Sequence, residues 1–180
     1  QVGTGYHTYM VKRFDRSGAG RRFFASAMTM TANHDTEDAS YLELAEFIAT
    51  WGEPDHINHD LEELFARVVF NVATANRDDH LRNHGFMRNP SGWRLAPAFD
   101  MNPSFEKDEH ALALDLYSRQ PNINAVLATA EYYRLDLNLA KETISRISKV
   151  IAGWKTRSRK LGLSAHAISE AEHLFLQLTV

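Results

Sequence analysis

One polar stretch decides how this chain is interpreted: residues 76–84 read Asn-Arg-Asp-Asp-His-Leu-Arg-Asn-His. The stretch follows an apolar segment with helical spacing over residues 60–75 and precedes two short apolar segments, residues 85–88 and 93–95. Asn, Pro, Ser and Gly at positions 89–92 favour a turn, so the two short segments are expected to pair as a hairpin. The polar stretch is therefore predicted to be a loop between a helix and a hairpin.

Helical periodicity covers most of the remaining chain. Apolar residues recur three and four positions apart in segments 40–51, 60–75, 123–133, 137–154 and 164–178. Asp60 is the predicted N-cap of the second of these helices. Residues 5–14 alternate between apolar and polar and predict a strand, followed by a turn-rich break at 15–20. The predicted fold class is mainly α (α+β), a helical domain with a small β-hairpin beside a polar loop.

The order and spacing of three oxygen-bearing side chains match the needs of phosphoryl transfer. A carboxylate must orient the attacking hydroxyl and accept its proton, and Mg²⁺ must be held by oxygen ligands. Protein kinases use a catalytic-loop Asp, an Asn five positions later and a second Asp after a short hairpin. Asp78, Asn83 and Asp100 follow this order, with Asp100 beyond the predicted hairpin.

A structural explanation competes for each of these residues taken singly. Asp and Asn commonly cap helices and build turns, and one of them alone is better explained in that way. The combination of Asp78, Asn83 and Asp100 on a helix–loop–hairpin–loop pattern favours a function.

The sequence also resembles a known family, the HipA-like serine/threonine kinases. Residues 70–86 are similar to its catalytic-loop signature and residues 93–104 to its metal-binding segment. Arg-Phe-Asp-Arg at 13–16 resembles its hinge motif, and residues 40–45 also fit the family pattern. The resemblance covers nearly the whole chain in order. It implies the fold of a protein-kinase-like C-terminal lobe with the hairpin at the catalytic loop.

The resemblance implies roles for individual residues of the polar loop. Asp78 would be the catalytic base, and Asn83 and Asp100 would hold Mg²⁺. His80 would belong to the catalytic loop, either near the nucleotide phosphates or stabilising the loop. Asp79 stays an alternative base because it adjoins Asp78, although the spacing to Asn83 favours Asp78.

The resemblance also assigns the first residues to the junction of two lobes. Lys12 and Phe14 would offer hinge backbone groups to the adenine of ATP, and Asp15 would meet the ribose. Residues 1–16 would then be the last strand of a small lobe and the hinge, and residues 17–180 the kinase C-lobe. The alternative for this segment is a strand end with surface charges.

The function implied by the resemblance is that of an ATP- and Mg²⁺-dependent protein kinase, the toxin of a toxin–antitoxin module. The family pairs such a kinase with a small DNA-binding antitoxin, HipB-like, so contact with DNA would be indirect. Its protein substrate is expected to be an aminoacyl-tRNA synthetase in some members. The family is associated with growth arrest and persistence in bacteria.

The sequence departs from a complete kinase in one respect. A Gly-rich loop over the phosphates and a strand Lys paired with a helix Glu are needed, and neither pattern is visible. The family carries these parts in an N-terminal lobe, so this chain is expected to lack that lobe and to be inactive by itself. The alternative function is a non-catalytic module that binds an antitoxin or another protein.

The amino-acid composition excludes some other kinds of protein. The chain has no Cys, which excludes disulfides and sulfur-ligated metals, and its net charge of −3 does not indicate a nucleic-acid-binding surface. No apolar run is long enough to span a bilayer, so a cytoplasmic protein without a membrane partner is expected. A weaker alternative is a metal hydrolase in which His80 and His84, four positions apart, bind Zn²⁺ with Asp78 or Asp79.

Overall fold

The computed structural model describes residues 10–36, 38–176 and 178, and within them the fold is mixed α+β. The α-helices are α1 (Ala27–Met30), α2 (Tyr41–Trp51), α3 (Ile57–Ala73), α4 (Ile123–Ala128), α5 (Leu137–Ala152), α6 (Trp154–Lys160) and α7 (Ala165–Ala171). The strands are β1 (Arg16–Ser17), β2 (Gly20–Arg21), β3 (Phe24–Ser26), β4 (Gly85–Asn89) and β5 (Gly92–Leu95). Single 3-10 turns lie at Pro54–His56, Leu81–Asn83, Ala130–Tyr133 and Glu172–Leu174.

The helix predicted over residues 40–51 is confirmed as α2. Ser40 is its N-cap, and the Ser40 backbone N–H donates to the Glu43 carboxylate at 3.0 Å, which satisfies a donor at the helix start. Gly52 follows the last helical residue. The face that carries Leu44 and Ile48 is buried, as the apolar spacing predicts.

Helix α3 begins three residues earlier than predicted, and Asp60 is not its N-cap. The Asp60 side chain is buried and accepts hydrogen bonds from the Arg94 guanidinium at 2.9 and 3.0 Å and from the Leu95 N–H at 2.9 Å. Burial would raise the pKa of this carboxyl, but the hydrogen bonds from Arg94 and Leu95 outweigh that effect and lower it. Asp60 therefore ties α3 to β5, a long-range role that local spacing does not reveal.

The predicted hairpin is confirmed, and a third strand extends it. β4 and β5 pair antiparallel, and β3 adds to the other edge of β4 with Ala25 opposite Phe86. Residue 92 must be a glycine, because a Cβ there would overlap the backbone of Glu53. This sheet follows the polar loop directly and fixes the direction in which the chain leaves it.

The strand predicted over residues 5–14 is absent from residues 10–14, the part of it that the structure describes. Residues 5–9 lie outside the described part, and residues 10–14 are not in a strand. Near the predicted break at 15–20, β1 and β2, each two residues long, pair antiparallel. The turn between them includes Gly18, whose φ is 58°. Phe14 packs against other aromatic rings and does not extend a sheet.

The C-terminal helices are shorter than their periodicity predicts. The segment 123–133 divides into α4 and a 3-10 turn at Thr129, whose hydroxyl donates to the Val126 carbonyl at 2.8 Å. Gly153 separates α5 from α6. Ser164 caps α7 by accepting from the Ala167 N–H at 3.1 Å, but α7 ends at residue 171.

The core lies where α2 and α3 pack together against β5, and α5 packs on α3. Phe65 of α3 meets Tyr133 edge to face, with ring centroids 5.3 Å apart, and Phe47 of α2 lies 4.3 Å from Phe86 of β4. Each such buried ring contributes about 1.5–3 kcal/mol through removal of apolar surface from water. Nowhere in the described residues is a helix both long enough and apolar enough to cross a membrane.

Two acids on α3 should differ sharply in their effect on stability. Asp60→Ala removes the closer acidic partner of Arg94 and the acceptor of the Leu95 N–H, and should lower the free energy of unfolding by about 3 kcal/mol, although Arg94 keeps Glu53 at 3.7 Å. Glu63→Ala removes an exposed partner of Arg67, which keeps its bond to the Ala96 carbonyl, and should cost about 1 kcal/mol or less. Urea unfolding at pH 7 measures both variants, and equal losses would contradict the role assigned to Asp60.

Candidate active site

The polar loop begins where α3 ends. The Thr74 hydroxyl donates to the Phe70 carbonyl at 2.8 Å, and Ala75 takes a left-handed backbone with φ of 53°. The Asn76 N–H then bonds to the Asn71 carbonyl at 2.9 Å. The helix is thus closed by local contacts, and the chain turns away from its axis into the loop predicted at residues 76–84.

Asp78 and Asn83 are brought together within this loop. The Asn83 side-chain amide donates to the Asp78 carbonyl, with a distance of 3.3 Å between the two atoms. Asn83 is nearly buried, whereas the Asp78 side chain is 57% exposed. The donated bond leaves the Asn83 side-chain oxygen available, and it accepts no hydrogen bond from any other described residue.

The segment that contains Asp100 returns to the same loop. The Ser104 hydroxyl accepts from the Asp78 N–H at 3.1 Å, and the Ser104 N–H donates to the Ala75 carbonyl at 2.8 Å. The two neighbours of Asp100, Phe99 and Met101, line a small crevice together with Asn83. The structure therefore brings Asp78, Asn83 and the Asp100 segment to one place.

Asp100 itself is exposed on a strained backbone. Its φ of 55° is left-handed, which costs a non-glycine residue about 1 kcal/mol, although Asp and Asn tolerate it better than most. One carboxylate oxygen accepts from the Asn102 side-chain amide at 2.9 Å. Strain of this kind is commonly retained where a side chain has to be presented to a ligand.

The neighbouring acid, Asp79, is buried in a polar network. A single oxygen of its carboxylate accepts from the Tyr41 hydroxyl, from the Asn71 amide at 2.6 Å and from the His84 Nε2 at 2.8 Å. The Asp79 side chain is only 4% exposed. Of the two adjacent acids, Asp78 alone therefore faces the surroundings.

The network shifts the pKa values of Asp79 and Tyr41. Burial would raise the pKa of the Asp79 carboxyl, but the charge and hydrogen bond of His84 and the bond from Tyr41 together lower it. Burial, together with the adjacent Asp79 charge, raises the pKa of the Tyr41 hydroxyl well above its ordinary value. Asp79 is therefore a carboxylate and Tyr41 a neutral donor at neutral pH, which suits their hydrogen bond.

His80 lies at the centre of the loop. Its backbone N–H donates to the Asp78 carbonyl at 3.0 Å, and its carbonyl accepts from the Asn83 N–H at 2.8 Å. The ring is half-buried, and its Nδ1 has no hydrogen-bond partner among the residues described. His80 thus shapes the turn between Asp78 and Asn83 and keeps one ring nitrogen free.

The residues assigned to the hinge are placed differently from one another. Phe14 stacks on Phe99 with ring centroids 5.9 Å apart, so it lies against the segment that leads to Asp100. Asp15 is paired with the Arg13 guanidinium, whose hydrogen bond lowers the pKa of the Asp15 carboxyl to about 2. Lys12 is exposed and pairs with no other described residue.

Lys107 was not among the residues predicted for the site. Its ammonium forms an ion pair with the Asp78 carboxylate, and its carbonyl accepts a hydrogen bond from the Arg77 guanidinium. Lys107 lies in an irregular segment 29 positions after Asp78. No spacing rule connects Lys107 with Asp78. The one available signal was a lysine in a predicted loop that follows the Asp100 segment.

The zinc alternative receives no support from the geometry. No group of three or more His, Asp or Glu side chains placed to share a metal ion occurs in residues 10–36, 38–176 and 178. The His84 Nε2 is occupied by Asp79 inside the network. Asn83 and Asp100 carry an amide and a carboxylate oxygen, which are ligands of the kind that Mg²⁺ takes in proteins.

A family model described as the HipA-like C-terminal domain matches residues 1–154. The match covers most of the chain, and the chain therefore belongs to this family. A search of curated proteins found no match.

A solved structure shares the fold. It is a chain in the complex of HipA, HipB and operator DNA from the toxin–antitoxin system of Shewanella oneidensis MR-1. The TM-score is 0.72 at 20% sequence identity, over 91% of this chain and 45% of that chain. The chain described here thus spans less than half the length of the solved chain, and the likeness concerns the backbone fold.

Two buried tyrosines provide a test of the Asp79 network. Tyr41→Phe removes a donor to a buried carboxylate and should lower the free energy of unfolding by about 2 kcal/mol. Tyr133→Phe removes a hydroxyl that is equally buried but has no partner among the described residues, and it should be close to neutral. Chemical denaturation at pH 7 compares them, and similar losses in both would refute the importance of the network.

His110 should make stability depend on pH. Burial, with a contribution from Arg77, lowers the pKa of its imidazole to about 4, although the Asp79 charge opposes the shift. The unfolded chain therefore binds this proton first as the pH falls, and stability is lost between pH 6.5 and about 4. The loss should reach a few kcal/mol, since one pKa unit corresponds to about 1.4 kcal/mol.

The matched variant is His110→Leu. Its free energy of unfolding should change less than that of the unaltered chain over the same pH window, because the titrating ring is gone. Denaturation curves at pH 7, 6, 5 and 4 measure the difference. Parallel pH profiles in the two proteins would contradict the assignment.

Proposed function

We propose that this chain is the catalytic large lobe of an ATP- and Mg²⁺-dependent protein serine/threonine kinase, the toxin of a HipA-type toxin–antitoxin module. One observation supports the proposal most directly: hydrogen bonds hold Asp78, Asn83 and the segment after Asp100 around a single loop. Residues 1–16 are then the end of a small lobe with the hinge, and residues 17–180 are the C-lobe.

Asp78 is the proposed base. Its carboxylate is exposed, so a substrate hydroxyl can reach it, be oriented by it and give up its proton to it. Asp79 is poorly suited to the same task because its carboxylate oxygen already accepts three hydrogen bonds in a buried network. The bond from Asn83 to the Asp78 carbonyl and the bond from Asp78 to Ser104 hold the base in position.

The residues present fit a Mg²⁺ ion. Asn83 and Asp100 would hold it through an amide oxygen and a carboxylate, which are hard ligands of the kind that Mg²⁺ prefers. When bound, the ion supplies positive charge that stabilises the phosphate oxygens during transfer. Asp100 is exposed and has a left-handed backbone, and an exposed carboxylate suits a ligand of this type.

The remaining assignments follow the family resemblance. His80 is proposed to act in the catalytic loop, either near the nucleotide phosphates or by stabilising the loop, and its Nδ1 is buried without a partner among the described residues. Lys12 and Phe14 are proposed to contact adenine through the backbone, and Asp15 is proposed to meet the ribose once it exchanges Arg13 for a hydroxyl. Phe14 supports this placement because it already lies against Phe99, next to the Asp100 segment.

The proposed partners are a HipB-like DNA-binding antitoxin and a protein substrate such as an aminoacyl-tRNA synthetase. The similar solved chain comes from a complex with HipB and operator DNA, which supports an antitoxin partner and indirect contact with DNA. The proposed location is the cytoplasm. By itself the chain is proposed to be inactive, because the Gly-rich loop and the Lys–Glu pair that hold ATP are not recognisable in its sequence.

A second candidate function is a non-catalytic protein-binding module. Phe105, Leu116 and Tyr117 are large apolar residues that are 60%, 57% and 87% exposed in the irregular stretch between β5 and α4. Exposed apolar side chains mark a contact with another protein where they form one continuous patch. Binding of Mg²⁺ and ATP at the polar loop separates the two candidates.

Calorimetric titration of this chain with ATP and Mg²⁺ tests the proposed function. Binding should be weak, should require Mg²⁺ and should be lost in Asp100→Asn, which removes the charge while Asn tolerates the left-handed backbone. Asp108→Asn, at another exposed acid of the same segment, is the control and should bind as the unaltered chain does.

Two results would overturn the proposal. One is binding that is the same with and without Mg²⁺. The other is an Asp100→Asn variant that binds ATP as well as its control does. If neither the unaltered chain nor any variant shows a heat of ATP binding, the protein-binding module becomes the better interpretation.

A further inference from the structure

The ion pair between Lys107 and Asp78 is an unusual feature of the site. It places a cation directly on the carboxylate proposed to be the base. Both side chains are about half exposed, at 49% for Lys107 and 57% for Asp78. A pair with this exposure is screened by water and contributes about 1 kcal/mol or less, so it is too weak to lock either side chain in place.

The backbone around Lys107, in contrast, is firmly attached to the polar loop. The Arg77 guanidinium donates to the Lys107 carbonyl, and the Ala111 N–H donates to the Arg77 carbonyl at 3.0 Å. Earlier in the segment, Ser104 bonds to both Asp78 and Ala75. The segment 104–111 is thus held at both ends, and the Lys107 ammonium stays within reach of the site even when its side chain moves.

This combination of a fixed backbone and a weakly held ammonium suits a phosphate ligand. A terminal phosphate beside Asp78 carries more negative charge than the carboxylate and would compete for the cation. Lysine is well adapted to such an exchange, because its ammonium is a mobile point charge with three donors. Positive groups placed where phosphate charge accumulates are a main source of stabilisation in transfer reactions.

We infer that Lys107 is a phosphate-contacting residue of the nucleotide site and makes it selective for a nucleoside triphosphate over a diphosphate. The inference rests on the proposed function, which it deepens by naming a residue and the phosphate that it contacts. The ammonium bridges the Asp78 carboxylate and the terminal phosphate, or passes from one to the other. A diphosphate lacks the group that Lys107 recognises.

Nuclear magnetic resonance titrations of the full chain with ATP and with ADP, each with Mg²⁺ at millimolar concentration, test the inference. Such concentrations allow weak affinities to be measured. The unaltered chain should prefer ATP. Lys107→Met should weaken ATP binding roughly tenfold, the size expected for one hydrogen bond to a charged group, and leave ADP binding unchanged. Lys107→Arg should keep most of the preference, and Lys141→Met, at an exposed lysine of α5, should keep all of it.

The outcomes separate this inference from the proposed function. Equal losses of ATP and ADP affinity in Lys107→Met would show a merely structural role and overturn the inference alone. A gain of ATP affinity in that variant would show that the ion pair blocks the site, which also overturns it. Absence of Mg²⁺-dependent ATP binding to the unaltered chain would overturn the proposed function and the inference with it.

Discussion

The buried Asp79 carboxylate is the interaction on which the rest of the site depends. Its three donors come from the first residue of α2, from α3 and from the residue before β4, so one oxygen atom joins three parts of the fold. A charged group is expensive to bury, and it is retained only where such donors compensate for the lost water. Because Asp78 is the adjacent residue in an irregular loop, anchoring Asp79 inward leaves Asp78 facing outward.

The same anchoring makes the loop stiff where chemistry would need it to be stiff. Backbone bonds from Asn76, His80 and Asn83 close successive turns of the loop, and the left-handed residues Ala75 and Asp100 lie at its entry and within the returning segment. Each left-handed residue costs about 1 kcal/mol, and at the fully buried Ala75 the surrounding contacts offset this cost. The site thus has rigid backbone beneath exposed carboxylates, an arrangement that holds polar groups in place before a ligand arrives.

Local patterns in the sequence predicted much of the fold, and long-range contacts account for what they missed. Apolar spacing located α2 and α3, and the turn residues located the β4–β5 hairpin. Spacing to Asn83 favoured Asp78 over Asp79, but it could not show that Asp79 is buried, because that burial depends on Tyr41, Asn71 and His84 elsewhere in the chain. Asp60 was misjudged for the same reason, since its partners lie on β5 and not at the helix start. The order of Asp78, Asn83 and Asp100 was visible in the sequence, and their roles stay predictions.

Under the proposed function, the charge balance around the loop makes a cation necessary for nucleotide binding. Asp78 and Asp100 present two exposed carboxylates, and unscreened they would repel a triphosphate. Lys107 offsets one of them, and a divalent ion at Asn83 and Asp100 would offset the other. Because Lys107 and Asp78 are both exposed, their pairing weakens in salt, whereas the buried Asp79 network is much less affected. High ionic strength should therefore weaken the proposed nucleotide binding, which depends on exposed charges. The fold should stay intact, because its stability depends on the buried Asp79 network.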